Sequence, residues 1–172
     1  GNAGKIAALQ LIANRKAESQ YNLVYNQLFT DNETVKTEAA KTLQHVSTDK
    51  NLPDLFTMLE QSDAKFVPAL QQAINAALSY LPVNEQMKLV SERMSKSSNK
   101  HLYYTALANS GSQEAMDVIT KAYNSESGAN KSAAFSALTN WKSFDAIYPM
   151  LEIARNSSNK DELSKVTDAL IA

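Results

Sequence analysis

Few residues in this 172-residue chain combine the type and the spacing that catalysis requires. The two histidines, His45 and His101, lie far apart in the sequence and at different phases of their predicted helices, and no His-Glu-x-x-His motif is present. Asp161 and Glu162 begin the last predicted helix, where the positive end of the helix dipole stabilises carboxylates. Ordinary positions on solvated helices therefore explain these four residues without a catalytic role.

Composition excludes further kinds of chemistry. The chain has no cysteine, so it forms no disulfide, no thiolate nucleophile and no zinc finger. Its four glycines do not form a phosphate-binding loop, and none of its serines lies in the Gly-x-Ser-x-Gly setting of a hydrolase. The sequence therefore predicts that the chain is not an enzyme, and we expect no catalytic residue, no metal site and no cofactor.

The bulk composition favours a helical protein with a substantial core. The chain is 44% hydrophobic, its formal net charge is −1, and it has only four glycines and four prolines. All-β folds need more turn residues than this. Because the longest apolar runs are much shorter than the ~20 residues that span a bilayer, we expect a soluble protein without membrane insertion. An exported or periplasmic protein and a cytoplasmic one are both compatible with the sequence.

The strongest pattern is a leucine that follows a small residue and recurs about every 32 residues. Most of these leucines also have an apolar or small residue four positions earlier, one helical turn back on the same face. Such a stripe is typical of a helix that packs against neighbours on two sides. We call these residues the anchor leucines: Leu9, Leu43, Leu78, Leu107, Leu138 and Leu170.

A second set of amphipathic segments lies between the anchor leucines, at residues 17–29, 51–61, 83–95, 112–123 and 143–155. In the last segment, Phe144, Ile147 and Leu151 are predicted to face the core, and Pro149 is predicted to kink the helix. Tyr148 is likewise assigned to a packing position.

The alternation of the two sets predicts helix pairs that become stable by stacking. We expect a single repeat domain over residues 1–172. Neither end of the array has a polar capping repeat, so we also expect a segment of a longer protein. The predicted pairs are residues 1–14 (partial), 17–46, 48–81, 83–110, 112–141 and 143–172.

The segment 35–43 resembles the second-helix signature of HEAT repeats, and the segment 131–138 resembles it again. The family has a basic residue at the start of this helix, and Lys36, Lys100 and Lys131 each stand seven residues before an anchor leucine. The chain is thus similar to the armadillo/HEAT superfamily. The resemblance implies an all-α fold, a right-handed α-α superhelix of about five HEAT-like helix pairs.

The lysines of the signature are expected to lay their stems along apolar surface while their ammonium groups reach carboxylates in the preceding turns. The carboxylates in question are Asp31 for Lys36 and Glu126 for Lys131. Gln71 and Leu163 replace the basic residue in two repeats, which is a departure from the family pattern. The Trp/Gly/Tyr/Pro signature of tetratricopeptide repeats, which have a similar period, is missing.

In HEAT-like arrays the second helices line the concave surface, and here that surface is predicted to be small, polar and nearly uncharged. Its charged members are Lys41 and Asp168, so binding of nucleic acid is not expected. Tyr104 and Phe135 flank it, either as contact residues for a partner or as core between repeats. The candidate interaction residues are Gln72, Asn75, His101, Tyr104, Thr105, Ser132, Phe135 and Ser136.

The sequence thus favours a non-enzymatic scaffold whose partner is another protein or a covalently linked domain of the same protein. The alternative is an accessory repeat domain of a larger enzyme, because the resemblance includes arrays fused to sugar-processing jelly-roll domains. Trp141, in a predicted turn beside Phe144, is either an exposed anchor for a ligand or sugar, or a cap on the core between adjacent helices.

Overall fold

The computed structural model describes residues 1–141 and 143–171. Throughout this part of the chain the regular structure is helical, and no strand is present. The α-helices are α1 (Asn2–Arg15), α2 (Tyr21–Asn26), α3 (Glu33–Val46), α4 (Leu52–Gln61), α5 (Val67–Leu78), α6 (Val83–Lys96), α7 (Tyr104–Asn109), α8 (Gln113–Ser125), α9 (Gly128–Thr139), α10 (Ile147–Asn156) and α11 (Lys160–Ile171). The all-α prediction is therefore confirmed for the described residues.

The chain divides into two compact units, Gly1–Gln86 and Met87–Ala172, with the boundary inside α6. In each unit, neighbouring helices pack against one another, which is consistent with helical stacking. Among the described residues, no helix combines the length and the apolar character needed to cross a membrane.

In the first unit, α3 is the central helix because it packs against both α1 and α5. The helices α2 and α4 pack on α3 and α5, respectively. The anchor leucines Leu9, Leu43 and Leu78 are at most 1% exposed, and Ala39 and Ile74, one turn before two of them, are fully buried. The stripe predicted from the repeat is thus the core of this unit.

In the second unit, α9 packs against α7 and α8, and α10 packs against α11. Leu107 and Leu138 are fully buried, as are the residues one turn before the last three anchors, Tyr103, Ala134 and Val166. Leu170, the last anchor leucine, is only partly buried.

The helix starts follow from local chemistry. The Asn32 side chain accepts a 3.0 Å hydrogen bond from the Val35 amide and begins α3. The Ser112 hydroxyl accepts one of 3.1 Å from the Ala115 amide and begins α8. Pro53 lies in the first turn of α4, where the missing amide hydrogen has no helical partner in any case.

The segment 143–155 differs from its prediction. A 3-10 turn at Phe144–Ala146 precedes α10, which begins at Ile147. Pro149 therefore lies in the first turn of α10, not in a helix interior, and the predicted kink is wrong because no helical hydrogen bond is lost there. The buried stripe of this segment is Ala146, Met150 and Ile153.

The predicted core face of α10 is also wrong. Phe144 is 86% exposed, Tyr148 is 79% exposed and Leu151 is 36% exposed. A 3-10 turn has 3.0 residues per turn, whereas an α-helix has 3.6. This difference shifts Phe144 relative to α10 but leaves the positions within α10 unchanged. The core face is formed by Ala146, Met150 and Ile153, and the other three side chains lie off it.

Candidate interaction groove

The candidate residues of the first unit both lie on α5. Gln72 is exposed, whereas Asn75 is partly buried, and its side-chain oxygen is buried without a hydrogen-bond partner. In the second unit, His101 is partly buried in the 3-10 turn that precedes α7, and Thr105 is exposed on α7.

The two aromatic candidates lie in the core. Tyr104 is 2% exposed and Phe135 is 8% exposed. The ring of Phe135 packs on the ring of Tyr123, with 5.9 Å between the centroids. Burial raises the pKa of the Tyr104 hydroxyl, and the charge of Glu126 adds to this increase. The burial of Tyr104 and Phe135 supports the interpretation that they belong to the core and not to a contact surface.

The exposed candidates Ser132 and Ser136 line a groove between α9 and α11, together with the edge of Phe135. The groove has a volume of about 680 Å³. Its opposite wall comes from α11 and carries exposed charges in the order Asp161, Lys165 and Asp168. We call this cleft the second-helix groove. The α9 wall is mostly small and polar but includes Lys131, and the α11 wall also includes the partly buried Glu162.

A polar cluster fixes the N-terminal end of α11. The Tyr123 hydroxyl donates a 3.2 Å hydrogen bond to the Glu162 carboxylate, and the Ser157 hydroxyl donates one of 2.6 Å to the same carboxylate. The Lys131 ammonium lies 4.7 Å from the centroid of the Tyr123 ring. Burial, followed by the charge of Glu162 and the hydrogen bond to it, raises the pKa of Tyr123 to about 12.

The signature lysines therefore find aromatic rings as well as carboxylates. Lys36 forms an ion pair with Glu33 at 3.3 Å, not with the predicted Asp31, and lies 5.9 Å from the centroid of Phe66. Lys131 lies over Tyr123 in place of the predicted contact with Glu126. The two rings come from different places in the chain, since Phe66 follows Lys36 in the turn before α5 and Tyr123 precedes Lys131 in α8. Cation–π attraction favours both contacts.

Within residues 1–141 and 143–171, no three His, Asp or Glu side chains come together as metal ligands. Trp141 is half-buried. Its indole N–H donates a 3.0 Å hydrogen bond to the Ser143 hydroxyl, and that hydroxyl donates one of 2.7 Å to Asp145. The two interpretations of Trp141 both stay open, because its side chain has an exposed part and a covered part.

Sequence reasoning missed a second cleft, between α8 and the start of α10. Phe144 and Tyr148 line it together with Asp117, Thr120 and Lys121, and its volume is about 860 Å³. The sequence signal that could have found it is the spacing of Phe144 and Tyr148, four residues apart and hence on one helical face, opposite the stripe of Ala146 and Met150.

Comparison with protein-family models, with curated proteins and with solved structures finds no match to this chain. The functional argument therefore rests on the packing and on the two clefts.

Proposed function

We propose that the chain is a HEAT-like α-solenoid, a right-handed superhelix of about five helix pairs, that acts as a non-enzymatic scaffold. In this proposal the second-helix groove binds another protein or a domain linked to the same polypeptide. The observation that carries the proposal is that Ser132 and Ser136, selected from the repeat pattern alone, line an open groove between two second helices.

The recurrence of buried positions supports the repeat architecture. Five of the six anchor leucines are at most 1% exposed: Leu9, Leu43, Leu78, Leu107 and Leu138. The residue one turn earlier is fully buried wherever the pattern supplies one, although its type varies from alanine to tyrosine. A recurring position that is buried whatever its side chain is what stacking of equivalent helices requires.

The shape and charge of the groove support a macromolecular ligand. The cleft is open along its length, and its α9 wall offers hydroxyl groups that do not hinder close approach. The exposed charges on α11 run from Asp161 through Lys165 to Asp168. A partner binds in one alignment only if its own charges are complementary to this order, since like charges facing each other are unfavourable.

A site-specific photocrosslinker tests this proposal. A benzophenone amino acid at position 136 is expected to crosslink one partner in extracts of the source cells, or a linked domain in the complete polypeptide. The same amino acid at Ser164, which is exposed on α11 but outside the groove lining, is the matched control. The purified partner is then titrated against the unmodified chain.

The variant Ser136→Arg fills the groove and is expected to weaken binding of that partner at least tenfold, while Ser164→Arg leaves binding unchanged. Equal crosslinking from positions 136 and 164, or equal binding by the two arginine variants, would refute a binding role for this groove. An experimental structure with left-handed stacking of the helix pairs would refute the superhelix.

A further inference from the structure

The cleft between α8 and α10 is an unusual place for aromatic side chains. It continues past Thr120, Asn124, Tyr148 and Pro149 into a further space of about 760 Å³, which Tyr123, Glu152 and Glu162 also line. We call the combined cleft the aromatic groove. Phe144 and Tyr148 remain 86% and 79% exposed although the core is close by. Exposed apolar patches often mark interaction sites, and these two rings line one cleft.

The charge of the aromatic groove is negative. Its described lining residues contribute four carboxylates, Asp117, Asp145, Glu152 and Glu162, and two ammonium groups, Lys121 and Lys131. Glu152 also pairs with Arg155 at 2.9 Å, whereas the hydrogen bonds of the other three carboxylates come from uncharged groups. A ligand with positive charge is therefore favoured over a neutral or acidic one.

The groove already holds one cation in the way that we infer for the ligand. The Lys131 ammonium lies 4.7 Å from the centre of the Tyr123 ring, and the hydroxyl of that tyrosine binds Glu162. A ring with a carboxylate at its edge is thus a cation-holding arrangement in this unit. Phe144 and Tyr148 provide two further rings in the same cleft as Asp117 and Asp145, with solvent access to both rings.

A second copy of the chain is a poor occupant for this groove on grounds of area. The two rings of one copy expose on the order of 300 Å². Two copies that meet through them would bury on the order of 600 Å², at most about half of the ~1,200–2,000 Å² in a stable interface. A narrow segment that enters the cleft contacts both walls and does not need so large a flat interface.

We propose that the aromatic groove binds an extended, arginine-containing segment of a partner protein. Guanidinium groups stack on Phe144 and Tyr148 and form hydrogen bonds with Asp117 and Asp145. Arginine is favoured over lysine because its planar group stacks on rings and pairs with carboxylates through two parallel hydrogen bonds. The aromatic groove shares Lys131, Asn159 and Glu162 with the second-helix groove, but the residues that contact the guanidinium groups in this proposal line only the aromatic groove. Variants at those residues therefore test this proposal without testing the second-helix groove.

The test uses four short synthetic peptides of one design, glycine–leucine–X repeated three times, with X as arginine, lysine, citrulline or glutamate. Citrulline has nearly the shape of arginine but no charge. Calorimetric titration into the full chain is expected to show the arginine peptide binding about ten times more tightly than the citrulline peptide, with the lysine peptide between them. Raising the salt concentration weakens binding of the arginine and lysine peptides, and the glutamate peptide is expected to bind more weakly than the citrulline peptide.

Variants with matched controls locate the site. Tyr148→Ala and Asp117→Asn are each expected to weaken binding of the arginine peptide about fivefold or more. Phe29→Ala removes a ring that is 66% exposed in the first unit, and Glu114→Gln removes an exposed carboxylate of α8 outside the groove lining. Neither control is expected to change binding. Because all four side chains are largely exposed, the variants should fold, which circular dichroism verifies.

Equal binding of the citrulline and arginine peptides would overturn the proposal, as would equal effects of the groove variants and their controls. Concentration-dependent dimerisation that Phe144→Ala abolishes would assign the groove to a second copy and would also overturn it.

Discussion

The Tyr123 hydroxyl donates a 3.2 Å hydrogen bond to the Glu162 carboxylate and so joins α8 to α11 across 39 residues of sequence. Because α9 and α10 lie between these helices in the chain, the bond closes a loop that contains both of them. The ring of Tyr123 also packs on Phe135 and lies beneath the Lys131 ammonium. One side chain thereby connects the core, the second-helix groove and the aromatic groove.

Tyr123→Phe tests the contribution of that hydroxyl. The ring contacts remain, and Glu162 keeps the hydrogen bond from Ser157, so the loss is limited to one hydrogen bond. We expect the free energy of unfolding at neutral pH to fall by about 0.5–1.5 kcal/mol. Urea denaturation followed by circular dichroism measures it. A loss above about 3 kcal/mol would mean that the hydroxyl does more than bind Glu162.

The pH dependence of the same variant follows from the raised pKa of Tyr123, which moves from the ordinary 10.0 to about 12. A group whose folded pKa is raised stabilises the fold below its unfolded pKa, and this stabilisation is lost as the pH rises through the folded pKa. The advantage of the wild type over Tyr123→Phe should therefore decline between pH 10 and 12. Ultraviolet titration of tyrosinate should show that Tyr123→Phe lacks one late-ionising tyrosine; an unchanged late phase would contradict the assignment.

Leu107→Ala tests the repeat core in the second unit. Leu107 is fully buried, so its truncation leaves a cavity, and we expect unfolding to become easier by about 2–5 kcal/mol. The matched control is Leu11→Ala on α1, where the side chain is 52% exposed and a change of about 0.5 kcal/mol or less is expected. Urea denaturation measures both. Comparable losses in the two variants would mean that burial at the anchor position does not stabilise the protein.

The helical class and most of the core were predictable, because both follow from the period of apolar residues along the chain. Leu43 and Leu138 were selected because each lies on an apolar stripe with a neighbour one turn away. The same position on the stripe is the reason that both are buried. Such a pattern does not depend on how the ends of a helix are built. It therefore survives the 3-10 turns that precede several helices.

The aromatic groove was not predictable, because its existence depends on which of two apolar stripes faces the core. The segment 143–155 carries two apolar stripes, one through Phe144 and Leu151 and the other through Ala146 and Met150, and the local pattern does not decide which one faces the core. Periodicity alone favours the stripe with the larger side chains. Tertiary packing reverses that choice and buries Ala146, Met150 and Ile153, which a local pattern does not reveal.

Lys65→Ala tests the ion-pair network of the first unit. The Glu33 carboxylate binds Lys65, 32 residues away, and also Lys36, and these two contacts lower the pKa of Glu33 below its ordinary 4.5. Without Lys65 the pKa should rise towards 4.5 but stay below it, because Lys36 remains. Carbon-detected NMR titration of the carboxyl group measures the change, and Lys50→Ala is the control.

The sign of the linked stability follows from that lowered pKa. A group with a depressed folded pKa stabilises the fold above its unfolded pKa, and this contribution is lost as the pH falls through the folded pKa. The destabilising effect of Lys65→Ala should therefore be present at neutral pH and be lost as the pH falls below 4.5 and through the lowered pKa of Glu33. High salt should also reduce it, since both side chains are 55% exposed. An effect independent of pH and salt would have another origin.

Tyr104→Ala decides between the two interpretations of Tyr104, as a contact residue for a partner or as part of the core between repeats. If Tyr104 is a contact residue, its truncation weakens partner binding and leaves the free energy of unfolding unchanged. With only 2% of the side chain exposed, we expect the other outcome, a loss of about 3–5 kcal/mol because a large cavity opens in the core.

The neighbouring substitution Thr105→Ala provides the comparison, because Thr105 is exposed on the same helix and its truncation should change stability by about 0.5 kcal/mol or less. Thermal and urea denaturation of both variants measure the difference. If Tyr104→Ala unfolds at the same temperature as the wild type, its ring contributes nothing to the core, and the contact interpretation replaces the structural one. A stability loss confined to Tyr104→Ala identifies Tyr104 as a core residue and leaves the exposed residues, such as Thr105, as the candidates for partner contact.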